Sequence, residues 1–256
     1  MTLASCDSRK TAGENPFFTE WDTPHGVPPF DKILPEHFMP AFERGMSLHE
    51  AEIDAIISNK DEVTFENTIL AYDNAGQMLA QTELVFGMLC AAETNDRMQA
   101  LQEQAMPLLA AHRDKIRLDD KLFVRVKEVY DRRAALGLDA EQMRLLQKTY
   151  DSFVRAGALL DAEQKARLKE INGQLSLTAV KFGNNILAEN NNFVLELKSD
   201  ELDGLPAGIR DAAREKAQQM GKGDKWVFTL HKPSLIPLLT YSTRRDLREK
   251  IYKAYL

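Results

Sequence analysis

Between Thr64 and Cys90 the apolar residues Phe65, Ile69, Tyr72, Leu79, Phe86 and Cys90 recur at intervals of three, four and seven. Only an α-helix, at about 3.6 residues per turn, brings such a set onto one side of the backbone. The stretch therefore predicts one long helix behind a Thr64 cap, with a face that other helices must cover. The same logic extends along the chain. Pro35 suits a first helical turn, and Phe38, Phe42, Ile53, Ile56 and Ile57 carry a helix to Ser58. Another helix spans Met98 to Arg117, interrupted or kinked at Pro107. Asp119 or Asp120 caps Leu122, Val126, Val129 and Tyr130, in a helix ending near Gly137. Asp139 with Gln142, and Asp161 with Gln164, have the form of capping boxes. They open helices Glu141 to Leu160 and Ala162 to Ala188, the second with Leu168, Ile171, Leu175, Phe182 and Ile186 on a single face.

Only Phe193 to Leu197 and Trp226 to Leu230 read as strands, enough for a small ribbon. Pro206 to Met220 is a helix closed by Gly221. The expected fold class is mainly α, with antiparallel helices joined by short connections and a small β ribbon. Residues 1–15 are small and polar and read as a disordered tail, and 16–256 as one helical region. Its first part, Asn15 to Pro40, holds six prolines with Phe17, Phe18, Trp21 and Phe30, an extended arm whose aromatics seek cover against a globular body. The last helix, from Arg244 to Tyr255, places Leu247, Ile251 and Ala254 on one stripe, with Asp246 and Lys250 as an i,i+4 pair. No Gly, Asn or Pro follows it before Leu256. A finished helix usually carries one, so the chain is expected to be part of a larger protein.

A net charge of −6 over 256 residues repels phosphate backbones and anionic lipid, which argues against nucleic acid as a partner. The longest apolar run, Leu84 to Ala92, is far short of the roughly 20 residues of a spanning helix. Two cysteines define no disulfide framework. Cys90 follows Leu84, Val85, Phe86, Met88 and Leu89 and reads as a buried small hydrophobe. Leu3-Ala4-Ser5-Cys6 has the small-residue pattern of a lipoprotein cleavage site, but Met1 leaves no room for the preceding basic and apolar stretches. Two readings stay open: a cytoplasmic protein if Met1 is the true start, or a periplasmic or envelope lipoprotein tethered through Cys6 if an upstream signal is lost.

A zinc-peptidase helix needs two histidines four residues apart with a glutamate after the first. His49 and Glu50 begin that pattern, and Ile53 stands where the second histidine belongs. His25, His37, His112 and His231 have no histidine within a helical turn and read as surface residues. Gly221 to Lys225 lacks the earlier glycine and the Ser or Thr of a phosphate-cradling loop. There is no G-x-S-x-G elbow, Cys90 has no base near it in sequence, and Glu62 and Glu66 fit a solvated face. No catalytic, cofactor-binding or metal-binding residue is assigned to any position.

The resemblance rests on several separate stretches. They are Asn15-Pro16-Phe17, Pro29-Phe30-Asp31, Pro40-Ala41-Phe42-Glu43 with Gly45-Met46, and Thr64-Phe65-Glu66-Asn67-Thr68. Leu136-Gly137-Leu138-Asp139, Phe153 to Ala158, Arg167-Leu168 with Asn172, and Arg244 with Leu247-Arg248-Glu249 and Tyr252 continue the series. In order, from about Asn15 to Leu256, they resemble the N-terminal part of the thimet-oligopeptidase-like zinc metallopeptidases, most closely the bacterial peptidyl-dipeptidase branch. The resemblance implies the N-terminal lobe of a two-lobed helical enzyme that encloses a channel, binds one zinc ion and removes C-terminal dipeptides from short peptides. It implies that the zinc-binding helix, its general-base glutamate and a further glutamate ligand lie beyond this chain. Zinc then belongs to the full-length enzyme and none is bound here; the partners are short peptides and the missing catalytic lobe. The rival expectation is a free-standing helical module that uses the same apolar faces to bind a protein.

Overall fold

A computed structural model describes residues 15–256, which are mainly helical with one two-stranded sheet. The Cys6 reading falls outside the described residues. Two compact units are present, one ending at Val180 and the other beginning at Lys181.

In the first unit the helices are α1 (Phe38–Ser58), α2 (Ala71–Asn74), α3 (Gln77–Ala92), α4 (Asp96–Arg117), α5 (Asp120–Arg132) and α6 (Ala140–Arg155). Helix α7 (Ala162–Asn192) starts in it and continues past Val180. The apolar stripe of α1 serves two cores. Phe38, Ala41 and Phe42 pack with Phe17, Leu79, Phe86, Met98 and Leu109, whereas Ile53 and Ile56 pack with Phe65, Ile69, Ile116, Leu122, Val126, Leu146 and Phe153. The first core is built on aromatic rings, with Phe38 4.9 Å and Phe42 5.3 Å from Phe86 between centroids. Phe17 of the arm completes it, 5.4 Å from Phe38. Trp21 is fastened by its indole N–H, which donates to the Pro16 carbonyl at 2.8 Å. Phe30 stays exposed, so the arm covers only part of its aromatic surface.

The single helix expected from Thr64 to Cys90 is broken in two. Thr64 caps as expected: its Oγ1 accepts from the Asn67 N–H while Asn67 Oδ1 accepts from the Thr64 N–H. The first stretch, Phe65–Leu70, then winds as a π-helix before α2. Gly76 stops the run with a left-handed φ of 75°, and its N–H is taken by Glu52 Oε2 of α1 at 2.7 Å. A long-range hydrogen bond at a glycine overrides a periodicity that continues through the break. Pro107, by contrast, is absorbed within a single α4. Both capping boxes form, at Asp139 with Gln142 and at Asp161 with Gln164. Helix α6 ends at Arg155 rather than Leu160 because Gly157, at φ 99°, closes it: the Gly157 and Ala158 N–H groups donate to Val154 and Phe153.

In the second unit β1 (Leu195–Leu197) pairs antiparallel with β2 (Trp226–Phe228), Leu195 opposite Phe228. Helices α8 (Ala207–Gln219), α9 (Lys232–Tyr241) and α10 (Arg245–Tyr255) surround a core of Leu195, Leu197, Phe228, Leu235, Leu238 and Ile251. Gly221 closes α8 as expected, with Lys222 N–H donating to Ala217 O. Asp246 pairs with Arg244 at 2.7 Å rather than with Lys250, because the neighbouring guanidinium reaches both carboxylate oxygens.

Helix α1 meets α3 closely at Gly45. A Cβ there would lie 3.0 Å from the Leu79 Cα, a backbone atom that cannot step aside. We predict that Gly45→Val, which forces the two helices apart, costs about 1–3 kcal/mol, measured by urea unfolding. The same change at Gly87, which faces open space, is expected to be neutral or slightly stabilising, since valine has the better helix propensity.

Candidate functional site

The most chemically distinctive cluster among the described residues sits halfway along α1. His112 falls on the buried stripe of α4, after Met98, Ala105 and Leu109, and its Nε2 lies 3.1 Å from Nδ1 of His49 on α1. The rings meet at 5.1 Å between centroids. Glu50, next to His49, approaches His112 Nδ1 at 3.4 Å and receives Lys115 Nζ of α4 at 2.7 Å. On the other side Gly76 lies against the His49 ring, where a Cβ would meet Nδ1 at 2.8 Å. Beside the pair is a cleft of about 190 Å³, to which Tyr72, Glu83, Arg113 and Arg117 also contribute. Glu83 is held by Arg113 at 2.7 Å.

The surface reading of the histidines therefore needs correcting. His112 and His37 are buried, and His49 is half-buried. His37 caps the entry to α1, its Nδ1 accepting from the Leu34 N–H at 3.1 Å, and its carbonyl accepts from Asn15 Nδ2. His25 and His231 are exposed, as expected. The sequence carried a usable signal: His112 continues the spacing of Leu109 and Ile116, so it had to face inward. Its partner, 63 residues away, could not be found without the fold. Cys90 is half-buried in the aromatic core, and burial pushes its thiol up, away from thiolate.

Burial pushes both imidazoles below their ordinary value. For His49 the nearby His112 adds to the depression, and Glu52, Glu50 and Glu83 oppose it. For His112 burial is opposed mainly by Glu50. Lys115 holds the Glu50 carboxyl below its usual range. At neutral pH the pair is two uncharged rings sharing one N–H···N contact. With the His112 proton on Nδ1, facing Glu50, Nε2 accepts from His49 Nδ1–H. Such a pair is a polar fastening between α1 and α4. Among the described residues no three His, Cys, Asp or Glu side chains converge as a metal site.

No family model matches the chain. It is homologous to dipeptidyl carboxypeptidase of Escherichia coli (strain K12), with 37% identity over 241 residues, 94% of this chain and 35% of that protein. The Salmonella typhimurium dipeptidyl carboxypeptidase is 34% identical over the same extent, and Escherichia coli oligopeptidase A 26% identical over 91% of the chain. These relatives are peptidases by name, and the chain spans about a third of their length.

Because protonation of either ring favours the unfolded chain, stability is full above the ordinary imidazole value of 6.5 and falls as pH drops through the depressed folded values. Urea midpoints taken from pH 8 to pH 5 should show this loss beginning near 6.5. In His112→Leu the curve is expected to be flatter over that window, although the variant is less stable at pH 8.

Proposed function

We propose that the chain is the N-terminal, non-catalytic portion of a zinc peptidyl-dipeptidase that removes C-terminal dipeptides from short peptides. The observation that carries this reading is the homology to dipeptidyl carboxypeptidase along nearly all of the chain, confined to about a third of the relative. Its peptide substrates and its zinc follow from that reading. The residues present do not fit a zinc site: His49 and His112 engage each other at 3.1 Å, and Ile53 occupies the place of a second metal-spaced histidine. The metal, its ligands and the general base then lie in the remaining two-thirds, and these residues supply part of the wall of the substrate channel.

Helix α7 supports the reading independently. Of its 31 residues only Lys165 and Val180 are buried. Ile171, Leu175, Phe182 and Ile186, which recur at helical spacing, are left in solvent, Phe182 being 64% exposed. An exposed apolar stripe on a long, well-capped helix is the mark of a contact surface. The catalytic lobe of the same enzyme is the partner this reading supplies; Tyr252, Tyr255 and Leu256 of the second unit are exposed as well.

The purified chain is expected to bind no zinc at micromolar concentration in equilibrium dialysis and to leave short peptides intact with zinc added. Turnover that survives purification to homogeneity would overturn the proposal. The isolated chain is also expected to self-associate in sedimentation runs, and the double variant Leu175→Ser/Phe182→Ser to shift it toward monomer. Association unaffected by the double change would remove α7 from the account.

A further inference from the structure

The helix pair α4 and α6 forms a second concave surface that the foregoing leaves without a role. Arg117 from the last turn of α4, and Arg144, Lys148, Asp151, Ser152 and Arg155 of α6, line a groove of about 480 Å³. Four cations and one acid therefore share one concavity of a protein whose net charge is −6. Arg144, Lys148 and Arg155 are exposed, and none makes an ion pair or a side-chain hydrogen bond with a described residue. Arg117 lies beside the Tyr72 hydroxyl. Asp151 accepts from Gln147 Nε2 at 2.9 Å, and the Ser152 hydroxyl donates to the Thr149 carbonyl at 2.8 Å. Asp151 offsets one of the four cations, so the groove keeps an excess of positive charge.

We propose that this groove binds an extended acidic peptide through its carboxylates, the choice of a peptide resting on the peptidase reading above. The layout of the cations distinguishes this ligand from a compact phosphate. Phosphate cradles gather backbone N–H groups at a helix N-terminus. Here the cations stand along α6 and at the C-terminal turns of α4 and α6, where free carbonyls oppose a concentrated dianion. Arg144 and Lys148 are separated along the helix axis by about 6 Å, and Lys148 and Arg155 by about 10 Å. An extended peptide puts only alternate side chains on one face, about 7 Å and 14 Å apart, spacings close to the about 6 Å between Arg144 and Lys148 and the roughly 16 Å between Arg144 and Arg155. Carboxylates spread along a strand match such a row; a single point charge does not. The contacts are charge-dominated, so binding weakens as salt is raised.

The test is fluorescence anisotropy on the 256-residue protein at low ionic strength with a labelled hexapeptide carrying glutamates at alternate positions. Its glutamine analogue and inorganic pyrophosphate serve as competitors. The glutamate peptide is expected to bind at least tenfold more tightly than the glutamine analogue, and Arg144→Glu/Lys148→Glu to abolish that preference. Both positions are exposed, so an unchanged circular dichroism melt shows that the variant is folded. Equal binding of the two peptides, or an undiminished preference in the variant, would overturn the proposal, as would pyrophosphate displacing the peptide at a lower concentration than the peptide itself requires. Because the readout is binding without turnover, it can fail while the peptidase assignment stands, and the reverse.

Discussion

Helix α1 is the element on which the first unit depends, and its middle turn is the critical part. Its two ends are apolar and enter different cores, Phe38 and Phe42 in one, Ile53 and Ile56 in the other. Between them come His49, Glu50 and Glu52, the first two reaching α4 and the third the turn that opens α3. His49 meets His112, Glu50 meets Lys115, and Glu52 receives the Gly76 N–H. The Lys115–Glu50 pair is well exposed and Glu52 lies at the surface, so each charged contact is worth on the order of 1 kcal/mol or less, and the neutral histidine hydrogen bond about as much. Being directional, the three contacts add to apolar packing in fixing the register of α1 against α4 and against the start of α3. Gly45 then allows α3 to approach within contact of the α1 backbone.

Much of this was legible in the sequence. Signals that act within four residues were mostly read correctly: both capping boxes, the Met98 to Arg117 helix, the Gly221 closure and the two short strands. The Gly157 closure of α6 is the local signal that was passed over, and two further failures lie where a distant group decides the local outcome. The break at Gly76 is held by Glu52, 24 residues away, and the periodicity on either side gives no warning of it. Helix α9 has no counterpart in the sequence reading; Pro233 falls in its first turn and Pro237 is carried inside it. The histidine pair was missed since each ring was judged against its sequence neighbours alone.

The exposed stripe of α7 and the cluster at His49 point the same way about chemistry. The polar groups that converge at His49 engage one another, whereas α7 presents an exposed apolar stripe and α6 an excess of cations. That is the distribution expected of a scaffold that shapes and contacts a reaction site built elsewhere. Homology reaching across nearly all of this chain, but about a third of the peptidases it resembles, gives the scaffold its context.

The most direct test of that account is the nucleotide sequence that follows the Leu256 codon in the genome. The account requires the reading frame to continue, in frame or across a single interruption, into a segment encoding H-E-x-x-H on a helix with a further glutamate downstream. A stop codon followed by unrelated sequence, together with a compact monomer in solution, would contradict it.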